Sequence, residues 1–267
     1  MKTKSYLLCT LCVLLQSFNL VNAQVVWLTT KNMDFTNCDR EERDVKDFTG
    51  VTNSSSFDVI FEQSKEPYVI VEGDEGVFEK LHTVVRRGVL DISMDPARYR
   101  NVRLRLKVGS PNIESLTMAG SGSIACTSDI VTDGDFTMRV AGSGDISVKS
   151  ISCAGFQSTV AGSGDLMITT LEATDASVSV AGSGDWGARN VEADNITLSV
   201  AGSGDIDIFN ANIKYSVTAS VAGSGDISVN GTARDVSARV VGSGDISGRL
   251  KYDSIKKVKT GSGDIDW

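Results

Sequence analysis

Proline is almost missing from this chain, with three in 267 residues, histidine occurs once, and aromatic residues make up 6%. With 41% hydrophobic residues, so little proline argues against a disordered or polyproline polymer and leaves a globular core within reach. The single histidine, His82, rules out most acid–base machinery: no Ser-His-Asp, Cys-His or HExxH arrangement can be assembled. Basic charge is also short, 26 Lys and Arg against 34 Asp and Glu for a net of -8, so nucleic acid is not an expected partner. Of five cysteines, Cys9 and Cys12 lie in the N-terminal leader, and Cys38, Cys126 and Cys153 are an odd set without CxxC spacing. That pattern describes neither a disulfide framework nor a zinc site.

Long apolar runs are lacking too. The stretch from Leu7 to Leu15 falls short of the roughly 20 residues that cross a bilayer. Preceded by Lys2 and Lys4 and followed by Val21-Asn22-Ala23, it reads as a signal peptide over residues 1–23, cleaved after Ala23. The mature chain would carry a formal -10 and begin at Gln24 in an exported compartment: periplasm, outer surface or medium.

What is abundant is one hexapeptide. VAGSGD occurs unbroken from Val140, Val160, Val180, Val200 and Val221, and near copies flank it. Counted from the first glycine, copies begin at Gly120, Gly142, Gly162, Gly182, Gly202, Gly223, Gly242 and Gly261, a period near 20. Such a period is the mark of a solenoid. Within each copy apolar residues alternate with polar ones: Val140, Val160 and Val180 stand two before the glycine, and Ile146, Leu166 and Trp186 four after it. Alternation is a strand signal, which excludes helical repeats. The fold expected is therefore all-β: a single-stranded parallel β-helix with about 20 residues per coil, each rising about 4.8 Å. Cys153 shares its parity with Ala173 and Ala193 and reads as packing filler.

The glycines share the inward parity. Gly142, Gly144, Gly162, Gly164, Gly182, Gly184, Gly202 and Gly204 mark a structural corner where the lumen leaves no room for a Cβ and positive φ is tolerated. A phosphate cradle is excluded because no helix follows any copy. Asp145, Asp165, Asp185, Asp205, Asp226, Asp245 and Asp264 have the outward parity, with Ser123 in the first copy. Stacked about 4.8 Å apart, they repel by roughly 0.9 kcal/mol per pair even in water. Either backbone N–H groups at the corner offset this, or the column holds a cation such as Ca²⁺, the one cofactor the pattern allows. In the last coil Lys257 and Lys259 stand where earlier coils place Met138 and Val140, an edge guard for the end of the stack.

Residues 24–110 lack the hexapeptide but alternate in strand fashion, and no linker separates them from residues 111–267. The chain 24–267 is expected to be one β-helix domain with irregular N-terminal coils, including one helical turn after Asp74. The segments FDVIFEQS (57–64) and PYVIVEGDEGVFEKLHTVVRRGVLDIS (67–93), then Pro111-Asn112-Ile113-Glu114 and tandem GSGDI coils, resemble the head GIN domain family of auto-transporter adhesins. The similarity spans roughly residues 47–267. It implies an exported β-helical protein of Gram-negative bacteria and no catalytic residues. The function expected is a non-catalytic adhesion or binding module of the cell envelope, its flat polar faces set against glycan or an envelope protein. The alternative is a carbohydrate-active β-helix enzyme, a lyase or glycoside hydrolase. Seven near-identical aspartates give no reason for one carboxyl to be acid and another base.

Overall fold

A computed structural model describes residues 35–267; the signal-peptide reading over residues 1–23 lies outside them. The strands of these residues form one hydrogen-bonded sheet system, and the one helix is a 3₁₀ segment, Glu75–Lys80. It is the parallel β-solenoid the alternation requires, with about 20 residues in each coil.

The repeat region sets the geometry. Long strands Asp145–Val160, Leu166–Val180, Trp186–Val200 and Ile206–Gly223 run parallel, each residue pairing with its equivalent one coil on. Three faces make a coil. In the coil opening at Asp145 they are residues 146–148, 150–153 and 155–160, and the GSGD corner joins the third face to the first of the next coil. Inward columns are sealed: Ile146, Leu166, Ile206, Ile227 and Ile246 stack at 0% exposure, as do Val140, Val160, Val180, Val221 and Val240. Each such side chain contributes about 1.5–3 kcal/mol by leaving water, so the ladders supply the main driving force. Trp186 takes an isoleucine position at 1% exposure. Its coil turns the small residues Ala188 and Ala193 inward beside Val191 on the first two faces, which compensates its volume within the close-packed interior. Cys126 and Cys153 are buried and unpaired, and burial pushes both thiols up to about 11, so they act as small apolar filler.

The glycines answer a constraint between coils. A Cβ on Gly144, Gly164, Gly184 or Gly204 would meet the carbonyl oxygen of the equivalent glycine in the preceding coil at under 3.0 Å, and one on Gly142, Gly162, Gly182 or Gly202 meets the same obstacle. The lumen's width is not what excludes a side chain there; the neighbouring backbone is. At this corner Ser183 and Gly184 both donate to the Gly162 carbonyl, at 3.1 and 3.2 Å, so main chain lies on main chain. Positive φ among the first glycines of these motifs is confined to Gly223, Gly242 and Gly261.

The N-terminal strands stack out of chain order. Strand Gly50–Asn53 lies between Val89–Met94 and Ser115–Met118, parallel to both, and Asp58–Gln63 lies between Leu104–Ser110 and the strand Ser123–Val131. Coil 89–110 thus sits beneath coil 50–63 although it follows it in sequence. Alternation announces such strands without saying which neighbour each will find. Three antiparallel pairs then close the base: Leu81–Arg86 on Val89–Met94, Tyr68–Gly73 on Leu104–Ser110, and Asp39–Arg43 on Tyr68–Gly73. Ion pairs fix this closure. Glu72 receives Arg105 at 2.7 Å and Lys107 at 2.8 Å, and despite its burial these partners hold its carboxyl below the usual range. Asp74 precedes the 3₁₀ turn without capping it; its carboxylate accepts from the Arg103 amide and guanidinium.

At the other end, Lys257 pairs with Ala238 and Lys259 with Val240, so lysines occupy the inward register. Lys257 Nζ reaches the carbonyl oxygens of Ile265 and Trp267, at 3.2 and 2.8 Å, and straps the mouth of the lumen.

The close approach at the corner makes a direct prediction. Gly184→Ala is expected to lower stability by about 1–3 kcal/mol or more, because backbone and not a movable side chain must yield. Ser183→Ala, on the exposed residue beside it, is expected to stay within about 0.5 kcal/mol, and urea unfolding followed by circular dichroism checks both.

Candidate binding surface

The aspartate column is built by the coil repeat. The Asp165 amide donates to Asp145 Oδ1 at 2.9 Å, Asp185 to Asp165 at 2.9 Å, Asp205 to Asp185 at 2.9 Å, and Asp226 to Asp205 at 2.8 Å. The bonds continue to Asp245 and Asp264. In return each residue after the Asp donates its amide to the next Asp carbonyl, as Ile146 does to Asp165 at 2.9 Å. Every carboxylate below Asp264 therefore staples its coil to the next. This charge-assisted bond offsets the repulsion along the column. Among the described residues no group of three His, Cys, Asp or Glu is arranged to hold a metal ion.

The column shows its electrostatic cost where it is most crowded. Asp207, on the first face two residues beyond Asp205, is pushed up to about 6 by desolvation and then by Asp205, Asp185 and Asp226. Desolvation also raises Asp145 and Asp205, against the amide bond each accepts.

One copy of the motif escapes the hexapeptide pattern. Asn53 is in register with Met118 and Val59 with Ile124, so Ser54-Ser55-Ser56-Phe57-Asp58 occupies the corner filled above by Ala119-Gly120-Ser121-Gly122-Ser123. Ser123 Oγ donates to Asp58 Oδ1 at 2.8 Å, and the column thereby extends one coil lower. Only the Asp-apolar pair at its end could have flagged it. Asn53 itself is fully buried, its amide donating to the Phe57 and Ser123 carbonyls.

The third face carries the longest regular polar surface. Its outward positions read Thr137, Gln157, Ser177, Thr197, Thr218 and Ser237 in one column, and Arg139, Thr159, Ser179, Ser199, Ser220 and Arg239 in the next. At the second corner, where this face meets the second, Asp175 accepts from Asn195 at 3.0 Å and Asn195 accepts from Ser216 at 2.8 Å. Three open depressions run beside this corner. One of about 800 Å³ lies near Glu114, Asp133 and Asp135, one of about 600 Å³ near Glu172, Glu192, Asp194 and Lys214, and one of about 370 Å³ near Gln157, Asp175 and Thr197. His82 is elsewhere, on the basal strand, paired with Asp95 at 2.7 Å.

A family described as "Putative auto-transporter adhesin, head GIN domain" matches residues 47–233. Among solved structures the chain is similar to a "Putative lipid binding protein" from Parabacteroides distasonis ATCC 8503, at 29% identity and TM-score 0.77, over 86% of this chain and 96% of that one. It is similar also to a "putative adhesin" from the same strain, at 20% identity and TM-score 0.78 over 86% and 96% of the two chains. A further "putative adhesin", from Parabacteroides merdae ATCC 43184, matches at 17% identity and TM-score 0.77 over 86% and 95%. The last two likenesses bear on the fold alone. No curated protein matches the chain.

Two outcomes are expected of the column. Asp185→Asn keeps an acceptor and removes a charge, so its melting temperature should equal or exceed that of the parent, whereas Asp185→Ala should cost about 1–3 kcal/mol. Asp207 binds its proton more tightly folded than unfolded, so stability should rise as pH falls from 7.5 towards 5, through its value near 6. The gain is complete near the ordinary aspartate value, and Glu72 and Asp74, held low, lose their contributions only below that range. Calorimetric melting across this interval should show the rise in the parent and a flatter profile in Asp207→Asn.

Proposed function

The chain belongs to the head GIN domain family, and from that premise we propose that it is an exported, non-catalytic binding module of the cell envelope whose polar faces lie against glycan or another envelope protein. The observation that carries this reading is the third face, with Ser177, Thr197 and Thr218 in one column beside Ser179, Ser199 and Ser220 in the next. Hydroxyls donate and accept at once, so such a lattice suits a ligand that presents hydroxyls or amides in a row. Their side chains have few rotamers to freeze, which keeps the entropic cost of contact small. The depressions alongside offer carboxylates and amides as further partners. All three are open, two of them mostly polar and the third about evenly polar and apolar, so none of the three is a closed cavity for an acyl chain such as the lipid-binding description of the 29% identical Parabacteroides protein would call for.

The enzyme reading has one observation in its favour. Glu172 and Glu192 are in register on adjacent coils beside the 600 Å³ depression, near the roughly 5 Å separation of a retaining glycosidase. Both are exposed on the same column, Glu192 accepting a long 3.5 Å bond from the Asn212 amide, and His82 lies on the basal strand, so no burial separates an acid from a base here.

Incubation with a panel of polysaccharides separates the readings. Retention on an immobilised glycan without release of reducing ends or unsaturated products is expected. Thr197→Lys with Ser199→Lys should abolish retention while leaving the melting temperature within a few degrees. Product release that disappears in Glu172→Gln would overturn the binding-module reading.

A further inference from the structure

The third face differs from the other two in charge as well as in hydroxyl content. From Ser115 and Thr117 up to Lys256 and Val258, its two central outward columns hold no carboxylate, although the chain carries 34 Asp and Glu against 26 Lys and Arg. The first face bears Asp207, and the second bears Glu172 and Glu192. The charges that do interrupt the hydroxyls of the third face are Arg139 and Arg239 in one column and Lys256 in the other. Resting on the third-face reading above, we propose that the ligand of this face is an acidic polysaccharide, its sugars bearing carboxylate or sulfate, laid along the rod axis and gripped towards the two ends of its contact by Arg139 and Arg239.

Position and availability both support the assignment. Arg139 and Arg239 stand in one register column, five coil steps apart, with Thr159, Ser179, Ser199 and Ser220 between them. At about 4.8 Å per coil the two positions are about 24 Å apart, the length of several sugar rings and far beyond the reach of one anionic group. Both arginines are exposed and have no ion pair among the described residues, whereas Lys149, Lys214 and Arg234 at the corners are taken by Asp129, Asp194 and Asp235. A guanidinium left open presents a planar fork of donors that fits a carboxylate or sulfate through two parallel hydrogen bonds. The hydroxyls between the arginines donate to and accept from the sugar hydroxyls of the same chain.

Acids on the margin of the face do not cancel the arginines. Asp135, Asp175 and Asp235 lie where the face meets the second corner. Asp135 and Asp235 precede Arg139 and Arg239 by four residues in the strands Asp135–Val140 and Asp235–Gly242, about 13 Å at the strand rise, against a Debye length of about 8 Å at physiological ionic strength. Asp235 is also paired with Arg234 at 2.9 Å, and Asp175 accepts from Asn195 at 3.0 Å. The sparseness of the cations then selects the partner. Duplex DNA presents one negative charge per about 1.7 Å of its axis, so two arginines about 24 Å apart leave a nucleic acid almost wholly uncompensated. Nor does an aromatic side chain stand in either column to stack a base. A polysaccharide with an anion on some of its units and hydroxyls on all of them matches both the hydroxyl field and its few cations.

Retention of the purified protein on immobilised polygalacturonate and dextran sulfate, each beside its uncharged counterpart, methyl-esterified polygalacturonate and dextran, tests this. At least one acidic polymer should be held about tenfold more tightly than its counterpart in about 50 mM salt, and the difference should vanish in about 500 mM. Which of the two is held tells carboxylate from sulfate. Arg139→Gln and Arg239→Gln should each cost about three- to fivefold on the acidic polymer and nothing on the neutral one, and together they should make the two polymers equal. Arg249→Gln is the same charge change on an exposed arginine without an ion pair among the described residues, at the corner of the first and second faces, and it should leave retention unchanged. All three arginines are exposed, and equal melting temperatures are expected to show that the fold is kept. Digalacturonate, too short to reach both arginines, should compete only weakly. Equal retention of acidic and neutral polymers, indifference to Arg139→Gln and Arg239→Gln, or an equal loss in Arg249→Gln would each overturn the inference. The neutral polymers test the third-face reading separately: retention there that is lost in Thr197→Lys with Ser199→Lys keeps that reading even where the acidic preference fails.

Discussion

Main chain resting on main chain at the GSGD corner is the contact from which the rest of the structure follows. Where Gly164 passes Gly144, the space a side chain would need is already occupied by a carbonyl oxygen, so successive coils approach at the sheet spacing even where they turn. Two amides then converge on one glycine carbonyl, and the aspartate after the second glycine closes the step by receiving the amide of its counterpart one coil on. Backbone hydrogen bonding thus continues through the corner, and the register it holds runs on into the faces on either side.

This constraint determines what the surface can be. Because the coils hold register, residues such as Thr197 and Ser199 recur as parallel columns, and a surface is produced whose spacing belongs to the backbone and not to side-chain packing. The aspartates follow the same logic in charge. Their first-order role is satisfied by the backbone, and at Asp207, where a fourth carboxyl is added to three already stacked, desolvation and then their repulsion raise the pKa. Ordinary binding faces on loops sacrifice stability for adaptability. A face of this kind is rigid at the outset and loses little entropy on contact.

The sequence made some of this legible and hid the rest for identifiable reasons. Alternation from Val140 to Ile146 to Val148, repeated every 20 residues, was enough for the fold class and for the inward columns, since burial demands period two in a strand. The family resemblance rested on the same recurrence together with the segments 57–64 and 67–93 that precede it. The source of the glycine requirement was not legible, because parity along one coil carries no information about the coil beneath. Nor was the stacking of residues 89–110 under residues 50–63: strand patterning is local, while the choice of neighbour is made by tertiary contacts such as those of Glu72 with Arg105 and Lys107. The corner at Ser54–Asp58 was missed because Ser55 and Phe57 stand there in place of the two glycines, and only its register against residues 119–123 discloses it. The depressions beside the second corner involve residues about 20 apart whose conjunction no linear motif records.

Native-state hydrogen exchange at the column's amides tests the central claim most directly. Asp185, Asp205 and Asp226 stand at an outward corner where exposed backbone would ordinarily exchange rapidly. If each amide is held by the carboxylate of the coil below, all three should exchange as slowly as Val178 and Leu198 in the neighbouring strands. Exchange at the rate of an unprotected loop would contradict the stacked corner.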